Sequence, residues 1–290
     1  MSLWQHYLRP KTITEAMQAL VTASKPVAPI AGGTDLLLDL KQGRHPAVNT
    51  LVDVTGIHEL LALEIREDRI FIGAAIPVTR IILAPIVIEH AKALVEACEL
   101  IGGPQVRNVA TLGGNTAHAL PAADGTIALL ALNATVEIAG TTGNHELPFG
   151  ELFLGPGKSI LKHGEELIVG FYLPIKKVNQ ASCFKRIMRP QGVALPIINL
   201  AVWLDRDVDV IKNIHIAVGP GGPTPWRAYG AEEVLKGNSM NEDISRAGLQ
   251  ALLDQVGFRS SPRRANSDYR RHLVGSLFID TLNNAWERAV

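Results

Sequence analysis

The sequence predicts an α+β chain of three subdomains, and three observations carry that reading. Its 290 residues exceed what one hydrophobic core comfortably serves, because cores stop growing near this size and chains divide. Helical and strand-like apolar patterns alternate through the first part of the chain, whereas three strand patterns follow one another later and helices close it. Breaks in the pattern fall near residue 60 and at the polar stretch 175–180, dividing the chain into residues 1–60, 61–174 and 175–290. Two α/β units and a C-terminal antiparallel sheet with helices are therefore expected.

In the first unit, Ile13, Met17, Leu20 and Val21 have helical spacing over residues 13–23, with Thr12 placed as the cap. Residues 27–30 form a short strand that runs into Ala31-Gly32-Gly33-Thr34-Asp35, and residues 36–40 restart a helix ending near Gly43. A second strand at 50–54 completes a β-α-β unit. In the middle unit, a strand at 69–74 follows the turn Arg66-Glu67-Asp68. Residues 86–101 read as one long helix with Ala91, Leu94, Val95, Cys98 and Ile101 on one face, which makes Cys98 a packing residue. Residues 102–124 are nearly free of charge, rich in Gly, Ala, Thr and Asn, and interrupted by Pro104 and Pro121. A polar stretch of that length inside a compact unit is expected to be functional. Strands resume at 135–139 and 166–173, the latter closed by Pro174. The third unit has strands at 183–188, 197–204 and 211–218, with turns such as Asp205-Arg206-Asp207 between them. Two or three helices follow; on the last, Tyr269, Leu273, Leu277, Phe278, Leu282 and Trp286 make an apolar stripe behind Ser267 as the expected N-cap.

Composition removes several function classes. Hydrophobic residues at 47% and charged residues at 19% are those of a globular chain. Lys plus Arg and Asp plus Glu are both 28, so no field of one sign recruits nucleic acid or an anionic membrane. The longest uncharged apolar stretches, 81–88 and 193–204, fall short of the roughly 18 residues of a spanning helix, and each contains a proline. Residues 1–10 lack the apolar stretch of a secretory signal, so the chain is read as cytoplasmic, without membrane insertion. Cys98 and Cys183 are far apart and no CxxC occurs, so a cysteine-bound cluster or zinc ribbon held by this chain alone is excluded. Any redox chemistry needs another cofactor.

Two segments hold most of the functional signal: Pro29-Ile30-Ala31-Gly32-Gly33-Thr34-Asp35-Leu36 and Thr111-Leu112-Gly113-Gly114-Asn115-Thr116. Paired glycines permit positive φ and let successive N–H groups converge on one point, an arrangement that binds a phosphate oxygen. The first segment also opens a helix, whose terminal amides and dipole attract an anion, with Thr34 and Asp35 as capping side chains. Desolvating a pyrophosphate costs several kcal/mol per charge. Hydrogen bonds to charged groups return about 1.5–3 kcal/mol each, so about four to six donors from two loops could hold a diphosphate without an arginine. A tight turn is the other reading of each glycine pair, and spacing alone leaves both open. Competing motifs fail: Gly155-Pro156-Gly157-Lys158-Ser159 has the ending of a nucleotide-binding P-loop but Leu152 where its first glycine belongs, and no G-x-G-x-x-G follows a strand. His118 has no metal-like neighbour in sequence and is read as a hydrogen-bonding structural residue. Gly219-Pro220-Gly221-Gly222-Pro223 is read as a rigid turn at a strand end.

Together with Gly73-Ala74-Ala75, Gln105-Val106-Arg107-Asn108, Ala117-His118-Ala119, Pro121-Ala122-Ala123-Asp124 and Ser267-x-Tyr269-Arg270-Arg271, these segments run in family order along the chain. In this they resemble the FAD-binding medium subunit of the molybdenum hydroxylases, the family of aerobic carbon monoxide dehydrogenase and of the xanthine dehydrogenase flavin domain. The resemblance implies a PCMH-type FAD-binding fold, in which two α/β subdomains clasp extended FAD and an antiparallel sheet with helices closes over the flavin ring. It assigns the pyrophosphate and ribityl portion to Pro29, Ile30, Ala31, Gly32, Gly33, Thr34, Asp35 and Leu36 with Thr111, Gly113, Gly114 and Asn115. Asp124 would meet the adenosine end or orient the loop, Ile101 and Ile168 would supply apolar contacts, and Lys185 would lie near the isoalloxazine, where a cation suits the charge of reduced flavin. The FAD is expected to be noncovalent, since neither glycine segment contains His or Cys. Two departures stand out: Leu120-Pro121 where relatives often have Asp-Pro, and Gly192-Val193-Ala194 where many have Asp-Ile-Ala.

Functionally, the resemblance implies an oxidoreductase subunit with no acid, base or nucleophile of its own. It would take electrons from a [2Fe–2S] small subunit, supplied by a molybdenum-binding large subunit, and pass them to quinone, NAD or oxygen. The molybdenum cofactor and [2Fe–2S] clusters are expected only in those partners, in a heterotrimer that pairs into a dimer of heterotrimers. A self-sufficient flavin oxidoreductase and a non-catalytic scaffold are the alternatives. With a net charge of zero, assembly is expected to rest on buried apolar area. The small subunit is expected on the first two subdomains, with Arg259, Arg263, Arg264, Arg270 and Arg271 either at its rim or simply solvated.

Overall fold

The computed structural model describes residues 3–189, 195–262 and 264–290. The N-terminal part is a parallel three-stranded sheet of β1 (His6–Leu8), β2 (Val27–Ile30) and β3 (Thr50–Asp53), with β3 between the other two. Helix α1 (Ile13–Thr22) joins β1 to β2, and the short α2 (Leu36–Lys41) joins β2 to β3. The Thr12 hydroxyl accepts the Glu15 N–H at 3.1 Å while the Glu15 carboxylate accepts the Lys11 N–H at 2.7 Å, and this fixes the start of α1. Ala16 and Leu20 are fully buried beneath it.

The second sheet is antiparallel. Its strands β4 (Leu63–Arg66) and β5 (Arg69–Gly73) form a hairpin, and the order is completed by α3 (Val78–Ile82), α4 (Pro85–His90), α5 (Lys92–Glu99), α6 (Pro104–Arg107), α7 (Leu112–Ala117) and α8 (Asp124–Ala131). Strands β6 (Thr135–Gly140) and β7 (Gly143–Pro148), the small β8 (Phe153–Gly155) and β9 (Lys158–Ser159) hairpin, and β10 (Glu166–Pro174) follow. The sheet runs β4-β5-β10-β6-β7, with β10 central and buried from Leu167 to Leu173. The expected single helix over 86–101 is two. Ala91 leaves the helical region (φ −136°, ψ 53°), but the expected face holds: Ala91, Leu94, Val95 and Cys98 are buried and Ile101 packs on the same core, while α5 buries Ala93 and Ala97 as well. A straight helix starting at Pro85 could not present both Val87 and the Ala93/Ala97 row to the core. Cys98 is fully buried, as its packing role requires. The Gly155–Ser159 stretch forms the β8–β9 hairpin, with Gly157 at φ +69°, so it has no P-loop geometry.

The third sheet, β11 (Gln180–Met188), β12 (Pro196–Asp207), β13 (Val210–Gly219) and β14 (Trp226–Arg227), is antiparallel in that order. Both of its faces are covered. Cys183, Leu200, Val202, Ile216 and Val218 pack under α9 (Tyr229–Leu235), α10 (Glu242–Gln255) and α11 (Ser267–Arg288). The cross-strand row Phe184, Ala201 and Ala217 joins the core of the middle unit. Asn266, not Ser267, caps α11: its side chain accepts the Tyr269 N–H at 2.8 Å, while the Ser267 N–H donates to the Ser260 hydroxyl. Tyr269 is exposed, and Arg270 takes the inward position in its place. The Gly192-Val193-Ala194 departure and Arg263 lie outside the described residues. Among the described residues, no helix is long and apolar enough to cross a membrane.

Candidate functional site

The first glycine segment leaves the carboxyl end of β2, beside Asp53 at the end of β3. Gly33 has φ +67°, a conformation that favours glycine, and the turn it makes leaves a run of amides without partners. Among the described residues, no acceptor takes the N–H of Gly32, Gly33, Thr34, Asp35 or Leu36. The expected capping by Thr34 or Asp35 does not occur: α2 starts without a side-chain cap bond, so its first amides stay free. Five donors in series on one turn, on residues that are half-exposed or, at Asp35, exposed, form a backbone anion cradle.

The two residues that lead into the second glycine segment, Val109 and Ala110, lie directly against the first. A Cβ on Gly32 would fall 2.0 Å from the Val109 carbonyl oxygen and 2.8 Å from Ala110 Cα. The expectation of positive φ in this second pair is corrected, because Gly113 and Gly114 sit in the first turn of α7. Gly113 is required for closeness instead: its N–H donates to the Ala74 carbonyl at 3.0 Å, and a Cβ there would meet that oxygen at 2.5 Å. Thr111 caps α7, its hydroxyl oxygen accepting the Gly114 N–H at 3.0 Å. Ala74 in turn donates to the Val169 carbonyl at 2.9 Å, which sets the neighbouring Ile168 behind the same segment. Ile101 packs on that core too, its carbonyl accepting from Arg107. Thus both glycine segments, Ile168 and Ile101 are tied into one region.

Among the described residues, Asn115 Oδ1 is buried without a hydrogen-bond partner, as are the hydroxyls of Thr116 and Thr126. Such polar atoms are costly unless a ligand or water satisfies them. Asp124 is held differently. Its carboxylate accepts from Arg186 and, at 2.7 Å, from the Asn199 amide, so it ties α8 to the third sheet. Burial pushes its carboxyl up, opposed by the Arg186 charge and the Asn199 hydrogen bond. Lys185, on the opposite face of β11 from Arg186, pairs with Asp280 of α11 and lines a 480 Å³ cleft with Leu100, Phe184 and Leu277. Sequence reasoning missed Arg186 and Asn199; strand alternation beside Lys185 was the available signal. His118 is half-buried and its ring has no hydrogen-bond partner among the described residues, contrary to expectation. Among those residues no cluster of His, Cys, Asp and Glu could hold a metal ion.

Residues 3–176 match the FAD binding domain in molybdopterin dehydrogenase, and residues 182–285 match the CO dehydrogenase flavoprotein C-terminal domain. The chain belongs to the FAD-binding family of the molybdopterin dehydrogenases. Among the relatives of this flavoprotein, the xanthine dehydrogenase FAD-binding subunit of Escherichia coli O157:H7 is 32% identical, covering 96% of this chain and 95% of the relative. The nicotinate dehydrogenase FAD-subunit of Eubacterium barkeri is 29% identical, with 96% of each covered. In structure, carbon monoxide dehydrogenase from Hydrogenophaga pseudoflava superposes with a TM-score of 0.93 at 27% identity, over 99% of this chain and 98% of that one. The mixed helix and sheet architecture and the FAD cofactor expected from the sequence are those of the family, whose members are oxidoreductase subunits.

Proposed function

We propose that this chain is the electron-transfer flavoprotein subunit of a heteromeric molybdenum hydroxylase. It would receive electrons from a [2Fe–2S] subunit, fed by a molybdenum-binding subunit, and deliver them to an external acceptor, in a dimer of heterotrimers. The carrying observation is the run of five free amides from Gly32 to Leu36, packed through Gly32 against Val109 and Ala110. That cradle suits a diphosphate, and the orphaned Asn115 Oδ1 beside Gly125 suits a ligand hydroxyl. Bound noncovalently, FAD supplies the exchange between one-electron clusters and a two-electron acceptor. The residues of the chain bind and orient. Residues 29–36 with Thr111, Gly113, Gly114 and Asn115 hold the diphosphate and ribityl portion, Ile101 and Ile168 bound the apolar side, Asp124 braces α8, and Lys185 offers a cation that Asp280 positions.

The subdomain limits near residues 60 and 175 belong to the same proposal and are supported by the three separate sheets. The small subunit is placed on the first two subdomains. Leu83, Ile88, Val106 and Val109 are exposed there, on or beside the helices α3, α4 and α6. The test is purification of the chain with and without its partners. Yellow protein that releases FAD on acid precipitation, and that is reduced by substrate only in the assembled complex, is expected. Turnover of an organic donor by the chain alone, or a colourless chain that takes up no FAD, sinks the proposal.

A further inference from the structure

Arg270 is the largest side chain buried to this degree among the described residues, only 2% exposed. Its Nε donates to the Ile197 carbonyl at 2.8 Å, but its buried Nη1 has no acceptor among the described residues. It makes no ion pair among the described residues, and residues 190–194 and 263 contain no Asp or Glu that could neutralise it. Its charged surroundings are cationic. Burial and the charges of Arg264 and Arg259 push its guanidinium down, and burial does the same to Arg264. Arg189 adds a further guanidinium, its Nη2 donating to the Arg264 carbonyl at 3.0 Å. Asp268, the nearest acid in sequence, is exposed and forms no ion pair. The amino end of the 22-residue α11, with its partial positive charge, lies at the same place.

An uncompensated buried guanidinium among other cations is unfavourable on its own and becomes favourable when an anion joins it. We propose that Arg270, with Arg189, Arg259 and Arg264 about it, forms an oxyanion site that takes a phosphate group. The planar fork of arginine matches phosphate oxygens two at a time. The site is separate from the glycine cradle: it is made of side chains of the third unit, whereas the cradle is backbone of the first. It does not depend on the flavin reading.

The test is calorimetric titration of the FAD-saturated full chain with inorganic phosphate, against chloride at matched ionic strength, and with adenosine 5′-monophosphate. Saturable phosphate binding is expected, weakened about tenfold by Arg259→Gln and by Arg264→Gln and lost in Arg270→Gln. FAD content stays unchanged in the first two variants, whose side chains lie at or near the surface. Tighter binding of the monophosphate than of phosphate assigns the site to a phosphorylated small molecule, and the reverse assigns it to the free ion. Should Arg270→Gln fail to fold, the Arg259→Gln/Arg264→Gln double variant decides. No saturable heat, equal heat from chloride, or unchanged affinity in the double variant overturns the proposal. So does phosphate binding that disappears once FAD is bound, which would make the cluster part of the cofactor site.

Discussion

Gly32 concentrates the whole cleft into one hydrogen atom. Its α-carbon faces the Val109 carbonyl so closely that a methyl group would sit 2.0 Å from the oxygen, and backbone on both sides leaves nothing flexible to give way. Gly32→Ala is therefore expected to push the two glycine segments apart and to lower FAD affinity by at least about tenfold, the loss of one charge-assisted hydrogen bond. Gly43→Ala is the control. It has φ +68° and open space around it, so it should cost about 1 kcal/mol of stability and leave FAD binding alone, as flavin fluorescence titration would show. Asp53, at the same strand ends, is a pH-sensitive position. Burial raises its carboxyl, but hydrogen bonds from the Thr55 hydroxyl and N–H and from Tyr7, with the Arg9 charge, outweigh burial and hold it below its usual range. Because the folded carboxyl titrates below its unfolded value, its stabilisation is complete above about pH 5 and is lost as pH falls through the folded value. Asp53→Asn should be less stable at pH 7 by about 1–3 kcal/mol. Its stability should also fall less steeply as the pH drops below about 4, a difference that urea titrations at each pH would measure.

Between elements, the braces that join α8 to the third sheet can be separated by chemistry. Asp124 and Arg186 are each buried at the side chain, so Arg186→Met strands a carboxylate and should cost about 3–5 kcal/mol. Adding Asp124→Asn should recover a large part of that loss, and a double variant as unstable as the single one would mean that the pair's geometry, not its charge, holds the units together. His215 of β13 stacks on Trp203 and shares a 3.2 Å hydrogen bond with the Ala131 carbonyl of α8; burial holds its pKa at about 4. The unfolded chain takes up that proton near pH 6.5 and the folded one does not, so stability falls as pH drops from 6.5 toward 4. His215→Phe, which keeps the stacking, should flatten that stretch of the profile. These contacts also mark where sequence reading succeeds and stops. Strands β10 and β12 and the Thr12-capped α1 are legible because their apolar runs and cap are local. The α8 helix is invisible to periodicity because all eight of its residues are buried, and β1 because all three of its residues are exposed. The glycine segments are legible as a site, but not the reason for Gly113, which is an approach to Ala74 from a distant part of the chain.

Across the whole molecule, the third sheet shares one core with the middle unit. Phe184, Ala201 and Ala217 face the cluster that contains α5 and α8, and the Ala93 N–H donates to the Ser182 hydroxyl at 3.0 Å while the Phe184 N–H donates to Glu96 at 2.8 Å. Neither unit can unfold without uncovering the apolar face of the other. The chain should therefore melt in a single transition, despite its three sheets and its length. Its own chromophores report this. Of the four tryptophans, Trp4 lies in the first unit and Trp203, Trp226 and Trp286 lie in the third, whereas release of flavin reports the glycine cleft. Tryptophan emission and flavin release should move together on heating. FAD at about 100 times its dissociation constant should add about 2.7 kcal/mol, raising the common midpoint by roughly 4–5 °C for a chain of this size. A flavin that leaves well before the third-unit tryptophans change would show that the cleft opens alone, and that the Phe184 row and the Asp124 brace do not couple the sheets.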